Sequence, residues 1–155
     1  MAQLKEGASA PDFSGKDQDG KMIRLADFKG KKVILYFYPK DDTPGCTAEA
    51  CNLRDNYESL LSKGFSIIGV SPDTEKSHTK FRTKYTLPFS LIADPDTTII
   101  KAYGAWGEKK MYGKSYMGVL RTTYVIDEKG KIMKTFTKVD TQNHTQQILT
   151  ELGIN

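Results

Sequence analysis

The stretch "KKVILYFYPKDDTPGCTAEAC", residues 31–51, decides the architecture. Its opening, "KKVILYFY" (31–38), is a continuous apolar run rich in β-branched and aromatic residues and ended by Pro39. Such a run suits a strand buried on both faces. A short polar loop follows. Thr43-Pro44 then reads as a helix start, with threonine as the N-cap and proline at the first helical position, where its missing N–H costs nothing. Downstream, Ala50, Leu53, Tyr57, Leu60 and Leu61 recur at spacings of three and four, so a helix is expected from Pro44 to Lys63, with Gly64 as its stop. A buried strand, a loop and a helix place the loop residues at the carboxyl edge of a sheet, where α/β proteins bind ligands.

Working outward, "PDFSGKDQDGKMIRLADF" (11–28) reads as a β-hairpin turning at Asp19-Gly20. "FSIIGVS" (65–71) and "FSLIAD" (89–94) are further strands, separated by a polar-faced helix over 74–85. "TTIIKAYG" (97–104) is a short helix, "RTTYVID" (121–127) and "KIMKTFT" (131–137) form a hairpin, and residues 141–153 close the chain as a helix. Strands alternating with helices, then a terminal hairpin, predict an α/β fold: a central mixed sheet flanked by helices, with an N-terminal hairpin extension. The whole chain, 1–155, is expected to be one domain.

Composition excludes several classes. The chain is 38% hydrophobic and 27% charged, as ordinary folded domains are. A net charge of +4 is spread as single lysines and pairs with acids between them, not as the basic stripe that nucleic-acid binding requires. No apolar run approaches the roughly 20 residues of a membrane span. The start "MAQLKEGASAPDF" has no apolar core behind a basic segment, which argues against a signal peptide and for the cytoplasm. In that reducing setting a cysteine pair does chemistry more often than stapling.

Both cysteines, Cys46 and Cys51, lie in the opening stretch. Cys46 falls in the first helical turn, where unpaired backbone N–H groups and the positive end of the helix dipole favour a thiolate. Cys51 is five residues on: a helix turns by about 140° net and rises ~7.5 Å over that span, separating the Cα atoms by about 8.7 Å. Disulfides need roughly 4.4–6.8 Å. Either the two cysteines are unrelated, or Cys46 reacts in the intact helix and Cys51 captures its product once the helix start unwinds. Oxidation of a thiolate by peroxide gives a sulfenic acid that condenses with a second thiol. Charge then develops on the leaving oxygen, so donors aimed there lower the barrier. The Thr43 hydroxyl, the N–H groups of Gly45 and Cys46 and a guanidinium from elsewhere suffice, without metal or organic cofactor.

The pattern Pro39-x-x-x-Thr43-x-x-Cys46, in the local form "FYPKDDTPGCTAEAC", resembles the peroxiredoxins, specifically the bacterioferritin comigratory protein or peroxiredoxin Q group. The resemblance continues through "GVSPD", "LIAD" and "WGEKKMYGKSYMGVLRTTYVID" and so covers essentially the whole chain. It implies a thioredoxin-like fold and a thiol peroxidase acting on hydrogen peroxide and organic hydroperoxides. Cys46 would be the peroxidatic cysteine and Cys51 the resolving cysteine within one subunit, with thioredoxin or a similar dithiol as reductant. Thr43 would bond peroxide and thiolate, Pro39 would shield the pocket, Arg121 would neutralise the thiolate, and Glu49 would orient Arg121. A monomer is implied.

Other residues draw blander expectations. Phe13, Phe37, Phe89 and Trp106 could line an alkyl-peroxide pocket, but packing is the better expectation. His78 and His144 lie in polar helical stretches and are expected at the surface, outside any metal site. Lys109, Lys110 and Lys114 are expected in a solvated loop. "GKDQDGK" lacks the later ligands of a calcium loop. Two other function classes stand beside the peroxidase: a thioredoxin-type disulfide oxidoreductase, which the missing Cys-x-x-Cys opposes, and a non-catalytic redox sensor or holdase.

Overall fold

The computed structural model describes residues 3–154. The run expected to be a buried strand is β3 (Lys32–Phe37), and its continuous apolar character follows from its place in the sheet. Val33, Leu35 and Phe37 face one core layer, with Ile68, Val70, Ile92 and Tyr124. Ile34 and Tyr36, with Tyr38 just beyond the strand, face the other, against Cys46, Ala50 and Leu53 of the following helix. With a core on each face there is no polar side to alternate with.

Among the described residues seven strands form the main sheet, in the order β2 (Met22–Arg24), β1 (Ser14–Lys16), β5 (Ser90–Ala93), β4 (Phe65–Ser71), β3, β8 (Thr122–Ile126), β9 (Ile132–Phe136). β3 pairs in parallel with β4, and β4 with β5. On the other side β8 runs antiparallel to β3, and β9 antiparallel to β8. The expected N-terminal hairpin, β1 and β2, extends the far edge through a Lys16–Ala93 pairing. Its turn is fixed by Asp17 Oδ1, which accepts from the N–H groups of Asp19 and Lys21, each at 2.9 Å.

The helix expected over 44–63 is two helices, α1 (Pro44–Asp55) and α2 (Tyr57–Ser62). The break has a local cause: the Asn56 side-chain amide donates back to the carbonyl of Asn52 at 2.8 Å, competing with the helical ladder. α3 (Glu75–Tyr85), α4 (Thr98–Ala102) and α5 (His144–Leu152) lie where periodicity placed them.

The segment after α4 is not a solvated loop. It forms a separate two-stranded hairpin, β6 (Trp106–Met111) with β7 (Lys114–Val119), and carries Lys109, Lys110 and Lys114. Its turn, Tyr112-Gly113, has φ of 53° and 79°, the left-handed pair of a two-residue hairpin. Tyrosine is a poor turn residue, and most of the hairpin's side chains are exposed, so no alternation announces it.

The aromatic expectation holds for Phe13, Phe37 and Phe89, all buried in the core, and Trp106 is half-buried with Lys101 Nζ 5.5 Å from its ring centre. The histidine expectation does not hold: His78 and His144 are both fully buried. Each imidazole is satisfied on both sides, His78 by Asp41 and the Ile92 carbonyl, His144 by Thr123 and Gln147. Burial is tolerable because no ring nitrogen is orphaned.

Candidate active site

The end of β3 delivers the loop 38–43, and α1 begins at Pro44 with Thr43 as its N-cap residue in an extended conformation, φ −95°. The threonine side chain does not cap the helix. Its hydroxyl instead donates to the carbonyl of Lys40 at 2.9 Å, which folds the loop onto itself. The first helical bond runs from Thr47 N–H to Thr43 O at 2.8 Å. The N–H groups of Gly45 and Cys46 therefore precede the ladder and point out of the helix start.

Cys46 is buried, at 1% exposure, on the face of α1 that meets β3. Arg121, immediately before β8, reaches across to it. One guanidinium nitrogen, Nη2, lies 3.4 Å from Cys46 Sγ, and the other, Nη1, donates to Glu49 Oε1 at 2.8 Å. β8 lies beside β3, so the sheet itself brings together residues far apart in sequence. Burial works against the charge of Arg121, but Cys46 and Glu49 outweigh it and hold the guanidinium above its ordinary value. Gly45 leaves room for this: a Cβ there would sit 3.2 Å from Arg121 Nη2. Pro39 is half-buried at the exit of β3.

Glu49 is fully buried, and only one of its oxygens is hydrogen-bonded. Burial pushes its carboxyl up to about 7 against the opposing pull of Arg121. Its free oxygen, Oε2, faces His144 Nε2 at 3.6 Å, too long for a hydrogen bond. The imidazole is pushed down to about 4, first by burial and also by Arg121, while Gln147 and Asp140 favour its charge. Tyr36, on β3, is a second buried group without a partner, and burial, then Glu49 and Cys46, raise its phenol well above the ordinary value.

Cys51 is also a free thiol and is half-buried on the same helix. Burial raises its pKa, Arg54 lowers it and Asp55 raises it, so in the folded helix it is held as a thiol. An intact α1 keeps the two sulfurs on different faces.

Cys46, Arg121, Glu49, Gly45 and Thr43 thus converge on one end of α1, and Cys51 stands apart. Sequence reasoning placed none of Tyr36, His144 and Lys109 at the site. Tyr36 reads as one more apolar strand residue, and nothing marks His144 as buried. Lys109, half-buried on β6, has its ammonium pushed down by burial and then by Arg121, with Cys46 pulling the other way. Only knowledge of the hairpin could have placed it near the site.

A sulfur faced by a guanidinium and by free amides at a helix start suits attack on a polar O–O bond, with donors ready for the departing oxygen. On this sheet the class so defined is a thioredoxin-fold thiol peroxidase. The chain belongs to the AhpC/TSA family, whose model matches residues 7–135, and within it to the peroxiredoxins of the Bcp and peroxiredoxin Q group. Peroxiredoxin Bcp of Bacillus subtilis is 45% identical over 149 residues, covering 96% of this chain and 95% of that one. A putative peroxiredoxin bcp of Coxiella burnetii is 46% identical, covering 96% and 99%. Among solved structures, a peroxiredoxin Q variant of Xanthomonas campestris superposes with a TM-score of 0.87 at 33% identity, covering 98% and 97%. The bacterioferritin comigratory protein of the same organism, described for its alkyl peroxide reduction activity, gives 0.87 at 32% identity, covering 99% and 98%.

Proposed function

We propose that the chain reduces hydroperoxides at Cys46 and resolves the product through Cys51. The observation that carries this reading is Arg121, which bridges Cys46 Sγ at 3.4 Å and Glu49 at 2.8 Å at the start of the helix that also bears Cys51. The Cys46 thiolate attacks the terminal oxygen of ROOH. The S–O bond forms as the O–O bond breaks, leaving Cys46–SOH and RO⁻, which takes a proton to become ROH. Charge moves from sulfur to the departing oxygen, so a guanidinium already beside the sulfur, together with the Gly45 and Cys46 amides, follows it at little reorganisation cost. The Thr43 hydroxyl turns from the Lys40 carbonyl to hold the peroxide, and Pro39 limits water.

Cys46–SOH and Cys51–SH then condense to a disulfide with release of water, after the start of α1 unwinds. A dithiol protein of the thioredoxin kind returns both thiols, and its own pair becomes the disulfide. The likeness to a bacterioferritin comigratory protein studied for alkyl peroxide reduction supports organic hydroperoxides beside hydrogen peroxide as substrates. The reading includes a monomer built as one domain and acting in the cytoplasm. Among the described residues no helix is long and apolar enough to cross a membrane.

Stopped-flow mixing of the reduced protein with one equivalent of peroxide, followed by thiol counting and mass spectrometry, tests the scheme. Loss of both thiols and an intramolecular 46–51 bond is the expected result. Two thiols surviving would end the peroxidase reading, and a disulfide-linked dimer would end the resolving role of Cys51. Cys46→Ser should abolish peroxide consumption, whereas Cys51→Ser should keep the first oxidation and lose recycling by thioredoxin.

A further inference from the structure

Residues 43–51 lie between two groups of anchors that the peroxide chemistry does not use. On the N-terminal side Asp41 is buried against α3. Its Oδ2 accepts from Ser77 Oγ at 2.8 Å and His78 Nδ1 at 2.7 Å, and its Oδ1 accepts from the Tyr38 hydroxyl at 2.7 Å. Its backbone N–H donates to Asp73 Oδ2 at 2.8 Å, which also accepts from Ser71 at 2.6 Å. His78 is fixed in turn by the Ile92 carbonyl at 3.0 Å. Although Asp41, Asp73 and His78 lie together, both Asp41 oxygens, Asp73 Oδ2 and both His78 nitrogens are engaged with protein partners, so they form a knot and not an open ligand set. The next residue, Asp42, has φ of 58°, a region that side chains seldom occupy. It is held by Lys84 Nζ at 2.8 Å and the Tyr85 hydroxyl at 2.7 Å, both from α3.

On the C-terminal side Asn52 is tied to the start of α5. Its amide donates to Gln142 O and Gln146 Oε1, each at 3.1 Å, and its Oδ1 accepts from the N–H of Thr145 at 2.7 Å. Arg54 Nη1 donates to the Tyr85 carbonyl at 2.7 Å, so α3 grips the chain on both sides of the segment.

The middle is held differently. The Thr43 hydroxyl bonds only to the neighbouring Lys40. Among the described residues, Arg121 is the one side chain from another element that hydrogen-bonds into 43–51, at Cys46 and Glu49. The buried residues of the segment are Cys46, Glu49 and Ala50, two small side chains and a carboxyl with an orphaned oxygen. Unwinding it therefore exposes little apolar surface and gives Glu49 back its solvation. Oxidation itself loosens the middle, because a neutral sulfenic acid attracts the guanidinium less than a thiolate does.

We propose that Asp41, Asp42, His78, Lys84 and Tyr85 on one side, and Asn52 and Arg54 on the other, are positioning residues that confine the unwinding step to residues 43–51. The inference rests on the reading that Cys51 resolves Cys46. Fixed ends turn the segment into a short loop that brings the two sulfurs together without releasing Leu53 from the core. The same ends guide the helix back when the disulfide is reduced.

Amide hydrogen exchange on the reduced and disulfide forms tests the boundaries, and a rate comparison tests the clamp. In the parent disulfide form, protection should be lost at the amides of 47–55, whose helical acceptors are the carbonyls of 43–51, and kept at Asp41 and Asn56. Lys84→Met, a surface change away from the reacting groups, should extend the loss to Asp41. It should also slow 46–51 bond formation by about two- to threefold, because a longer free segment brings the two sulfurs together less often, while Cys46 oxidation changes by less than about twofold. Lys84→Arg, which keeps the partner of Asp42, should restore the parent rate. Asp41→Asn supplies a second, buried variant with the same expected direction. The proposal is overturned if protection in the parent is lost at Asn56 and into α2, or at Asp41 and back to Tyr38. It is equally overturned if bond formation in Lys84→Met is unchanged or faster, or if both rates fall together as partial misfolding would make them. A parent chain that forms no 46–51 bond removes the resolving reading and this inference with it. A bond that forms without confined unwinding removes this inference alone.

Discussion

Arg121 donates to one oxygen of Glu49 at 2.8 Å, while the other oxygen of the same carboxyl is buried without a partner. The pair is an ion pair made at the expense of solvation, and burial wins enough to push Glu49 from 4.5 up to about 7. Arg121, Cys46, His144 and Tyr36 all act on or near it.

A carboxyl whose folded pKa is raised binds its proton more tightly when folded. Its contribution to stability is complete below about 4.5, declines as pH rises, and is lost by the time pH passes about 7. The start of α1 should therefore open more readily at pH 8 than at pH 5. Amide exchange of residues 43–51, referenced to β3 and corrected for the intrinsic pH dependence, should show this slope, and Glu49→Gln should flatten it. An identical slope in the variant would assign the pH dependence to another group.

Removing the guanidinium tests its part in the transition state. Arg121→Met should lower the rate of Cys46 oxidation by about 10²–10³-fold, the usual loss of an oxyanion donor. Arg121→Lys should recover only part of it, because one ammonium cannot bridge sulfur and carboxylate as a planar fork does. Stopped-flow oxidation under pseudo-first-order peroxide reads both, and a full-rate lysine variant would show that charge alone matters.

Gly45 gives a subtler handle on the same geometry. A methyl group at this position would stand 3.2 Å from Arg121 Nη2, so the guanidinium must shift by a few tenths of an ångström. Gly45→Ala should slow oxidation by about two- to tenfold through that misplacement. The melting temperature should hold or rise slightly, since alanine favours the helix over glycine. A drop in melting temperature with an unchanged rate would show that the helix yields and the arginine does not.

The contrast between these residues explains what was legible in the sequence. Strand β3 announced itself because both its faces are buried, and Cys46 because a Thr-Pro helix start follows that strand at once. Arg121 has no local signal at all. It was placed only through the family motif, because the sheet pairing of β3 with β8 is a long-range fact. The break at Asn56 rests on one side-chain bond that no period encodes. The burial of His78 and His144 depends on partners on other strands and loops, so polar helical neighbours pointed to the surface and misled. The β6–β7 hairpin escaped for the opposite reason: it buries too little to impose a pattern.

His144 supplies the last test, opposite in sign to Glu49. Its folded pKa is pushed down to about 4 from 6.5, so its contribution to stability is present above 6.5 and is lost as pH falls toward 4. Glu49 works the other way across much of the same range, and the two partly cancel in global stability. They separate in local opening, because unwinding 43–51 frees Glu49 but leaves His144 packed on α5 against Thr123 at 2.8 Å. His144→Leu should therefore remove the acid-side fall in global stability between pH 6.5 and 4, measured by urea denaturation, and leave the pH slope of amide exchange in 43–51 intact. At pH 7 the same change should cost about 1–3 kcal/mol, since Thr123 and Gln147 lose a buried partner. A variant that altered the exchange slope as strongly as Glu49→Gln would show that the carboxyl and the imidazole share one proton and titrate as a unit.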